Sequence, residues 1–162
     1  MSVNAYEPHL IIIPEDDATR QLAVGFTLIT DFPRRIDIRQ PEGGWTKVVQ
    51  RCLEDYCPSM NSFPERKILL LVDFDGNPSA RRDLLKSQLP EGLQERVYVI
   101  GVSSEAEDLK RRCNHKSFEV IGEDLARECS SQTHNLWKDE LLSNNQAEIE
   151  RFDRDVRPFL FR

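Results

Sequence analysis

The sequence predicts a three-layer α/β fold in which helices flank a mostly parallel, four-stranded sheet. Four short runs rich in β-branched and aliphatic residues predict the strands, and a segment with apolar residues at helical spacing follows each of them. Because alternation of strand and helix is typical of parallel sheets with right-handed crossovers, we expect the strands to run in the same direction. The length of 162 residues suits one domain, over 1–162, with a core over 9–112 and a helical extension over 113–162.

The predicted strands lie near residues 9–15, 35–39, 67–73 and 96–102. The second of them alternates polar and apolar side chains, which is typical of a half-exposed strand. The third is a continuous aliphatic run, which is typical of a buried central strand in a parallel sheet. A further apolar segment, 158–161, is predicted to form a small terminal strand or an anchor.

The helix after the third strand is predicted to begin with Asn77 as its N-cap and Pro78 at its first position. We expect this helix to turn Leu84, Leu85 and Leu89 toward the core, and Arg81, Arg82 and Lys86 toward solvent. After the fourth strand, Ser104 is predicted to cap the next helix as part of a capping box. The predicted helices span 18–26, 45–57, 78–89, a segment after 104, 118–129 and 144–156, with a short helix or turn over 136–142.

The chain has a net charge of −6 at pH 7, which weighs against tight binding of nucleic acid by this chain alone. A nucleic-acid partner is therefore expected to be reached through a more basic protein. The sequence contains no apolar run of about 18 residues that would predict a membrane helix, and its N-terminus lacks the pattern of a signal peptide. We therefore expect no membrane partner, a cytoplasmic location and reduced thiols at the four cysteines.

Acidic residues follow three of the predicted strands, at the point where each strand ends. At the ends of the first, third and fourth strands stand Glu15, the pair Asp73 and Asp75, and Glu105. Because the carboxyl ends of parallel strands meet at one edge of a sheet, we expect these carboxylates to lie close together. Clustered carboxylates repel one another and bind hard divalent cations such as Mg²⁺ or Mn²⁺. Acids in these positions also cap helices, which is the alternative role for each of them.

Two of these strand ends match the motifs of a known family. A strand followed by Glu at residues 11–15, and a later strand followed by Asp-x-Asp at residues 70–75, resemble the TOPRIM domain. That family includes primases, type IA and type II topoisomerases, recombination mediators and OLD-type nucleases. Residues 99–109 are similar to the strand-plus-acid element of small stand-alone TOPRIM-like proteins and of the OLD-type branch. The resemblance covers residues 9–112 and implies a Rossmann-like sheet flanked by helices.

The TOPRIM resemblance implies metal-dependent phosphoryl transfer or phosphodiester hydrolysis on nucleic acid or on a nucleotide. It implies that Asp73 and Asp75 hold one or two Mg²⁺ or Mn²⁺ ions, which polarise the phosphodiester. It also implies that Glu15 acts as a general base or a bridging metal ligand, and that Glu105 completes a second metal site.

Two arginines on the helix after the third strand are predicted to act beside these acids. Arg81 and Arg82 either contact phosphate or offset the acidic field, while the same residues also suit a solvated helix face. The helical extension either covers a face of the sheet or forms a contact in a homodimer.

Two other functions stay open from the sequence. A non-catalytic interaction or regulatory module fits the charge of −6, and it fits Asp16, which stands where most TOPRIM relatives have glycine. A phosphatase of the haloacid-dehalogenase type is the other alternative, because residues 69–76 resemble its first motif, with Asp73 as nucleophile and Asp75 as general acid. Residues 120–124 would then resemble its last acidic motif, although two strand–helix units precede the nucleophile strand.

Overall fold

A computed structural model describes residues 3–162, in which four strands form one sheet. The strands are β1 (His9–Pro14), β2 (Ile36–Ile38), β3 (Arg66–Leu71) and β4 (Val97–Ile100), and they lie side by side in the order β2-β1-β3-β4. Every neighbouring pair runs parallel, which confirms the predicted fold class. The aliphatic strands β1 and β3 take the two central positions, where both faces of a strand are covered.

Helices connect the strands and follow the last of them. The helix after β3 begins at Pro78 with Asn77 in the N-cap position, as predicted. In the described residues 3–162, no helix combines the length and the apolar composition needed to cross a bilayer. The α-helices are α1 (Asp17–Ile29), α2 (Trp45–Arg51), α3 (Pro78–Ser87), α4 (Ala106–Arg112), α5 (Phe118–Ser131), α6 (Gln146–Asp155) and α7 (Arg157–Leu160).

Alternate side chains of the strands point to opposite faces of the sheet, and each face has its own apolar layer. Ile11 packs on the face that α2 and α3 cover, together with Leu85 of α3. Leu10 packs on the other face, together with Phe152 of α6 and Leu160 of α7. Helices α1 and α5 contribute to this second layer as well. The helices of the predicted extension therefore cover one face of the sheet.

The last apolar segment forms the short helix α7, so the predicted terminal strand at 158–161 is wrong. Its side chains nevertheless fasten the chain to the core, as the anchor alternative requires, because Phe159 and Leu160 are buried. The Leu160 carbonyl oxygen also accepts a hydrogen bond from the Asp31 N–H at 3.0 Å. This bond ties α7 to the segment that follows α1.

Two predictions about helix faces and caps are also wrong. Leu84 and Leu85 are both predicted to face the core, and Leu85 is fully buried, but Leu84 is 49% exposed. Ser104 does not cap α4, because the helix begins at Ala106 and Glu105 occupies the N-cap position without a side-chain hydrogen bond. Neighbouring residues lie about 100° apart around a helix, so two adjacent leucines cannot both point straight at the core.

Helices α1 and α5 pack with their backbones in direct contact at two glycines. A Cβ atom on Gly25 would lie 1.9 Å from the Glu119 carbonyl oxygen. A Cβ atom on Gly122 would lie 2.0 Å from the Leu22 carbonyl oxygen. Both distances are far shorter than a van der Waals contact, so a larger residue at either position must push the helices apart.

The substitution Gly122→Ala is expected to lower the free energy of unfolding by about 2 kcal/mol, because overpacking a tight contact costs about 1–3 kcal/mol. This is a net figure, since alanine alone would favour the helix by up to about 1 kcal/mol. Urea denaturation followed by circular dichroism measures it. Gly92→Ala is the matched control, because a Cβ atom there meets nothing within 4 Å. Equal stability of the two variants would show that the helices are not in backbone contact.

Candidate functional site

Strands β1 and β3 bring Glu15 and Asp73 to the same edge of the sheet. The Glu15 N–H donates to the Leu71 carbonyl oxygen at 2.9 Å, which continues the pairing of β1 with β3 past the end of both strands. On the opposite edge of the segment that follows β3, the Val72 N–H donates to the Ile100 carbonyl oxygen of β4 at 3.2 Å. The backbone that leads to Asp73 is thus held from both sides, and its carboxylate emerges at the carboxyl edge.

Three carboxylates meet at this edge. Glu15, Asp16 and Asp73 each place a carboxylate oxygen within 4.8 Å of the other two, and we call this group the acidic triad. Asp73 is only 7% exposed, and its Oδ1 atom is buried without a hydrogen-bond partner. Glu15 and Asp16 are half-buried. Two of the three residues, Glu15 and Asp73, are among the ligands that the sequence predicts.

The environment of the acidic triad opposes ionisation. Burial, followed by the charge of Asp16, raises the pKa of Asp73 to about 7, and the Ala106 N–H opposes this rise. Burial, again followed by the charge of Asp16, raises the pKa of Glu15 to about 7, against a hydrogen bond from the Asp73 N–H. Like charges that are this close cannot all ionise cheaply without a compensating cation.

Asp16 is the member of the triad that the sequence does not predict as a ligand. Its Oδ1 atom accepts a hydrogen bond from the Thr19 N–H at 2.9 Å, so Asp16 is the N-cap of α1. The Thr19 hydroxyl in turn faces the Asp16 N–H at 3.2 Å, which completes a reciprocal capping pair. The sequence does contain a signal for Asp16, because a helix-capping Asp directly follows the Glu at the end of a strand. Both carboxylates must then emerge at the same edge of the sheet.

Asp75 lies outside the acidic triad. It adopts a left-handed conformation with φ of +47°, followed by Gly76 with φ of +88°, so the chain turns away after Asp73. The Asp75 Oδ2 atom accepts a hydrogen bond from Arg81 Nη1 at 2.7 Å, and the same nitrogen donates to the Asp73 carbonyl oxygen at 2.8 Å. The Arg81 guanidinium also lies 4.5 Å from the ring centre of Trp45. Asp75 therefore positions an arginine beside the triad.

Two further predicted site residues take structural positions. Glu105 is exposed at the N-cap of α4 and is not part of the triad. Arg82 was expected to face solvent but points inward, where its Nε donates to the Val99 carbonyl oxygen at 3.0 Å. Its other two nitrogens donate to Asn144 and Asn145 at 2.7–2.8 Å. With all three nitrogens engaged, Arg82 is not placed to bind phosphate, and Arg81 is the remaining candidate.

The last motif of the phosphatase alternative does not follow a strand. Residues 120–124 lie within α5, and Asp124 forms ion pairs with Lys116 at 3.3 Å and with Arg127 at 3.2 Å. A phosphatase of that type needs this acidic residue at the carboxyl edge of the sheet, beside the nucleophile. The position of Asp124 in a helix therefore gives that alternative no support.

No protein-family model matches the chain, and neither the curated proteins nor the solved structures contain a match. The resemblance to TOPRIM domains thus stays a prediction from the strand-end motifs.

Proposed function

We propose that the protein uses the acidic triad to hold Mg²⁺ or Mn²⁺ and acts in phosphoryl transfer or phosphodiester hydrolysis. The observation that carries this proposal is Asp73, whose carboxylate is almost fully buried and whose Oδ1 atom has no hydrogen-bond partner. Burying an ionised carboxylate without a partner is costly, and a buried charge is ordinarily paired or coordinates a metal. A cation bound by the triad would supply the missing partner.

The donor set fits such an ion. Mg²⁺ and Mn²⁺ prefer carboxylate oxygens, and all three members of the triad supply them. Two oxygens bound to one ion at about 2.0–2.6 Å lie at most about 4–5 Å apart. The separation of no more than 4.8 Å between the oxygens of the triad agrees with that limit.

The surrounding residues suit chemistry on a phosphate. A bound cation would polarise a phosphodiester and stabilise the negative charge of the leaving oxygen. Arg81, which Asp75 and the Asp73 carbonyl oxygen hold in place, would contact a non-bridging phosphate oxygen. Glu15 is more exposed than Asp73, so its carboxylate is the candidate to accept a proton from an attacking water.

The net charge bears on the substrate. A chain with a charge of −6 repels a long polyanion, so we expect a nucleic-acid substrate to be presented by a more basic partner protein. A nucleotide carries less charge and would reach the triad without such help.

Millimolar Mg²⁺ or Mn²⁺ is expected to raise the melting temperature of the wild-type protein by about 5–10 °C when the ion is at about 100 times its dissociation constant. The substitution Asp73→Asn should abolish this rise, because it removes the buried charge of the triad. Asp75→Asn is the matched control and should keep the rise, since Asp75 lies outside the triad. Differential scanning fluorimetry measures all three.

Two outcomes would contradict the metal site. One is the same rise in the wild-type protein and in Asp73→Asn, and the other is no rise in the wild-type protein at millimolar ion. Hydrolysis of bis(p-nitrophenyl) phosphate with Mn²⁺, lost in Asp73→Asn, then tests catalysis separately from binding.

A non-catalytic interaction module is the second candidate function, and one observation favours it. In the acidic triad, Asp16 uses its carboxylate to occupy the Thr19 N–H at the start of α1. That amide is thereby withdrawn from any contact with a phosphate, which a glycine at this position would leave free. Metal-dependent stabilisation without any phosphodiester hydrolysis would favour this module over the enzyme.

A further inference from the structure

Two cysteines lie side by side just beyond the C-terminal end of α2. The Sγ atoms of Cys52 and Cys57 are 3.9 Å apart, within hydrogen-bonding range for sulfur. Both side chains are free thiols in this structure. Cys52 is completely buried in the layer that covers one face of the sheet, whereas Cys57 is partly exposed.

An unusual turn of helix produces this juxtaposition. After Arg51, the backbone passes into a π-helical segment over Cys52–Tyr56, and the Cys57 N–H donates to the Cys52 carbonyl oxygen. This i→i+5 bond places residue 57 almost directly above residue 52, whereas the 3.6-residue turn of an α-helix would rotate them apart. Such π-helical turns are rare in proteins overall, and those that exist are often found at functional sites.

The two thiols are chemically unequal. The hydrogen bond between them, together with burial, raises the pKa of the Cys52 thiol. The same hydrogen bond lowers the pKa of the Cys57 thiol, against the effect of its partial burial. Cys57 is thus the more readily ionised and the more exposed of the two thiols, and Cys52 lies next to it. A reactive cysteine with a second cysteine in contact is the arrangement of redox-active pairs.

We propose that Cys52 and Cys57 form an oxidisable dithiol pair, which closes to an intramolecular disulfide when hydrogen peroxide oxidises the exposed thiol. The Cys57 thiolate sulfur attacks one oxygen of the peroxide, the O–O bond breaks, and the departing hydroxide takes a proton and leaves as water. The Cys52 sulfur then attacks the Cys57 sulfur of the resulting sulfenic acid. As the S–S bond forms, the S–O bond breaks, and the released hydroxide takes the Cys52 proton to give a second water.

The reaction is balanced in electrons, and the distance between the two sulfurs permits it. The two thiols lose two electrons, and the peroxide gains the same two. Closing the bond needs the sulfurs to approach from 3.9 Å to about 2.0 Å, which is within the reach of side-chain and local backbone movement at a helix end. Cys113 is also partly exposed, but within residues 3–162 its sulfur contacts no other cysteine, so the same reaction is not expected there.

Peptide mass spectrometry tests the pair directly. The reduced protein is treated with a small molar excess of hydrogen peroxide, unfolded, alkylated with iodoacetamide and cut with trypsin. Cleavage after Arg51 and Arg66 leaves both cysteines in one peptide, 52–66. We expect this peptide to lose two hydrogens and to carry no alkyl group, and we expect dithiothreitol to restore two alkylatable thiols.

Two single variants serve as controls. In Cys113→Ser the same loss of two hydrogens should occur at the same peroxide concentration, because Cys113 takes no part. In Cys57→Ser the loss should disappear, and circular dichroism should confirm a native fold, since residue 57 is not part of the fully buried layer. The proposal is overturned if the wild-type peptide 52–66 stays doubly alkylated while Cys113 is oxidised. It is equally overturned if Cys57 reaches the sulfinic acid while Cys52 remains alkylatable.

Discussion

Lowering the pH from 8 to 5 in the absence of divalent cations is expected to stabilise the protein, by about 2 kcal/mol in the free energy of unfolding. Asp73 and Glu15 have pKa values of about 7 in the folded chain, against ordinary values of 3.8 and 4.5. Between these values the folded state binds protons that the unfolded state does not, so stability is highest below the unfolded pKa and is lost as the pH rises through about 7. Between pH 8 and pH 5 only the part from pH 7 down to pH 5 contributes, which is about 2.7 kcal/mol for one buried carboxyl at about 1.4 kcal/mol per pH unit. Solvent at Glu15 and coupling between the two carboxyls keep the sum for the pair near this one-group value, at about 2 kcal/mol.

The comparison with Asp73→Asn isolates this effect. His9 is buried, which lowers its pKa below 6.5 and makes its own contribution to stability fall as the pH drops below that value. His9 is the same in both proteins, so it cancels in the difference between their urea denaturation curves. We expect Asp73→Asn to be the more stable protein at pH 8 and to lose that advantage at pH 5. A constant difference across the range would show that the Asp73 carboxyl ionises normally.

The substitution Arg82→Ala is expected to lower the free energy of unfolding by about 3 kcal/mol. The guanidinium links three parts of the chain, because it lies on α3 and donates to the Val99 carbonyl oxygen of β4 and to Asn144 and Asn145 before α6. Asn145 is itself fully buried. Hydrogen bonds to a charged group contribute about 1.5–3 kcal/mol each, and the buried acceptors would lose their donor without gaining water.

A second arginine gives the matched control for this prediction. Arg111 on α4 is largely exposed and makes one ion pair, with Asp108, so Arg111→Ala should change stability by less than about 1 kcal/mol. Urea denaturation measures both variants, and hydrogen exchange at residues 144–155 should rise in Arg82→Ala only. If the two arginine variants were equally stable, the Arg82 network would have no role in fastening α6 to the sheet.

Local pattern was sufficient to predict the sheet. Each strand combines β-branched residues with a helical segment after it, and a parallel order follows from that alternation alone. The face of α3 could not be read in the same way, because Leu84 and Leu85 are both apolar and only one can point inward. Arg82 decides the matter, since its contacts with β4 and with Asn144 rotate Leu85 to the core and leave Leu84 exposed. Those contacts join residues 17 and 62 positions apart, which no local window contains.

The acidic edge was predicted in part for a similar reason. Glu15 and Asp73 follow paired strands, so their proximity is a consequence of parallel topology. Asp75 is predicted beside Asp73 because both follow the third strand. The strand ends at Leu71, and the left-handed backbone at Asp75 turns the chain away, so Asp16 takes the third position of the triad. An isolated Asp-x-Asp motif does not reveal where its strand stops.

The bond between α7 and the segment after α1 has a consequence for how the chain is made. The Asp31 N–H has no partner in this bond until Leu160 has been synthesised. Leu10 and Tyr98 likewise belong to an apolar layer that includes Phe159 and Leu160. During synthesis from the N-terminus, all four strands are complete some sixty residues before that layer can close, as β4 ends at Ile100. Until α6 and α7 are made, the part of this sheet face that they cover stays exposed, beside the part that α1 and α5 cover. Substitutions that weaken the packing of α7 are expected first to increase the dependence of the nascent chain on chaperones.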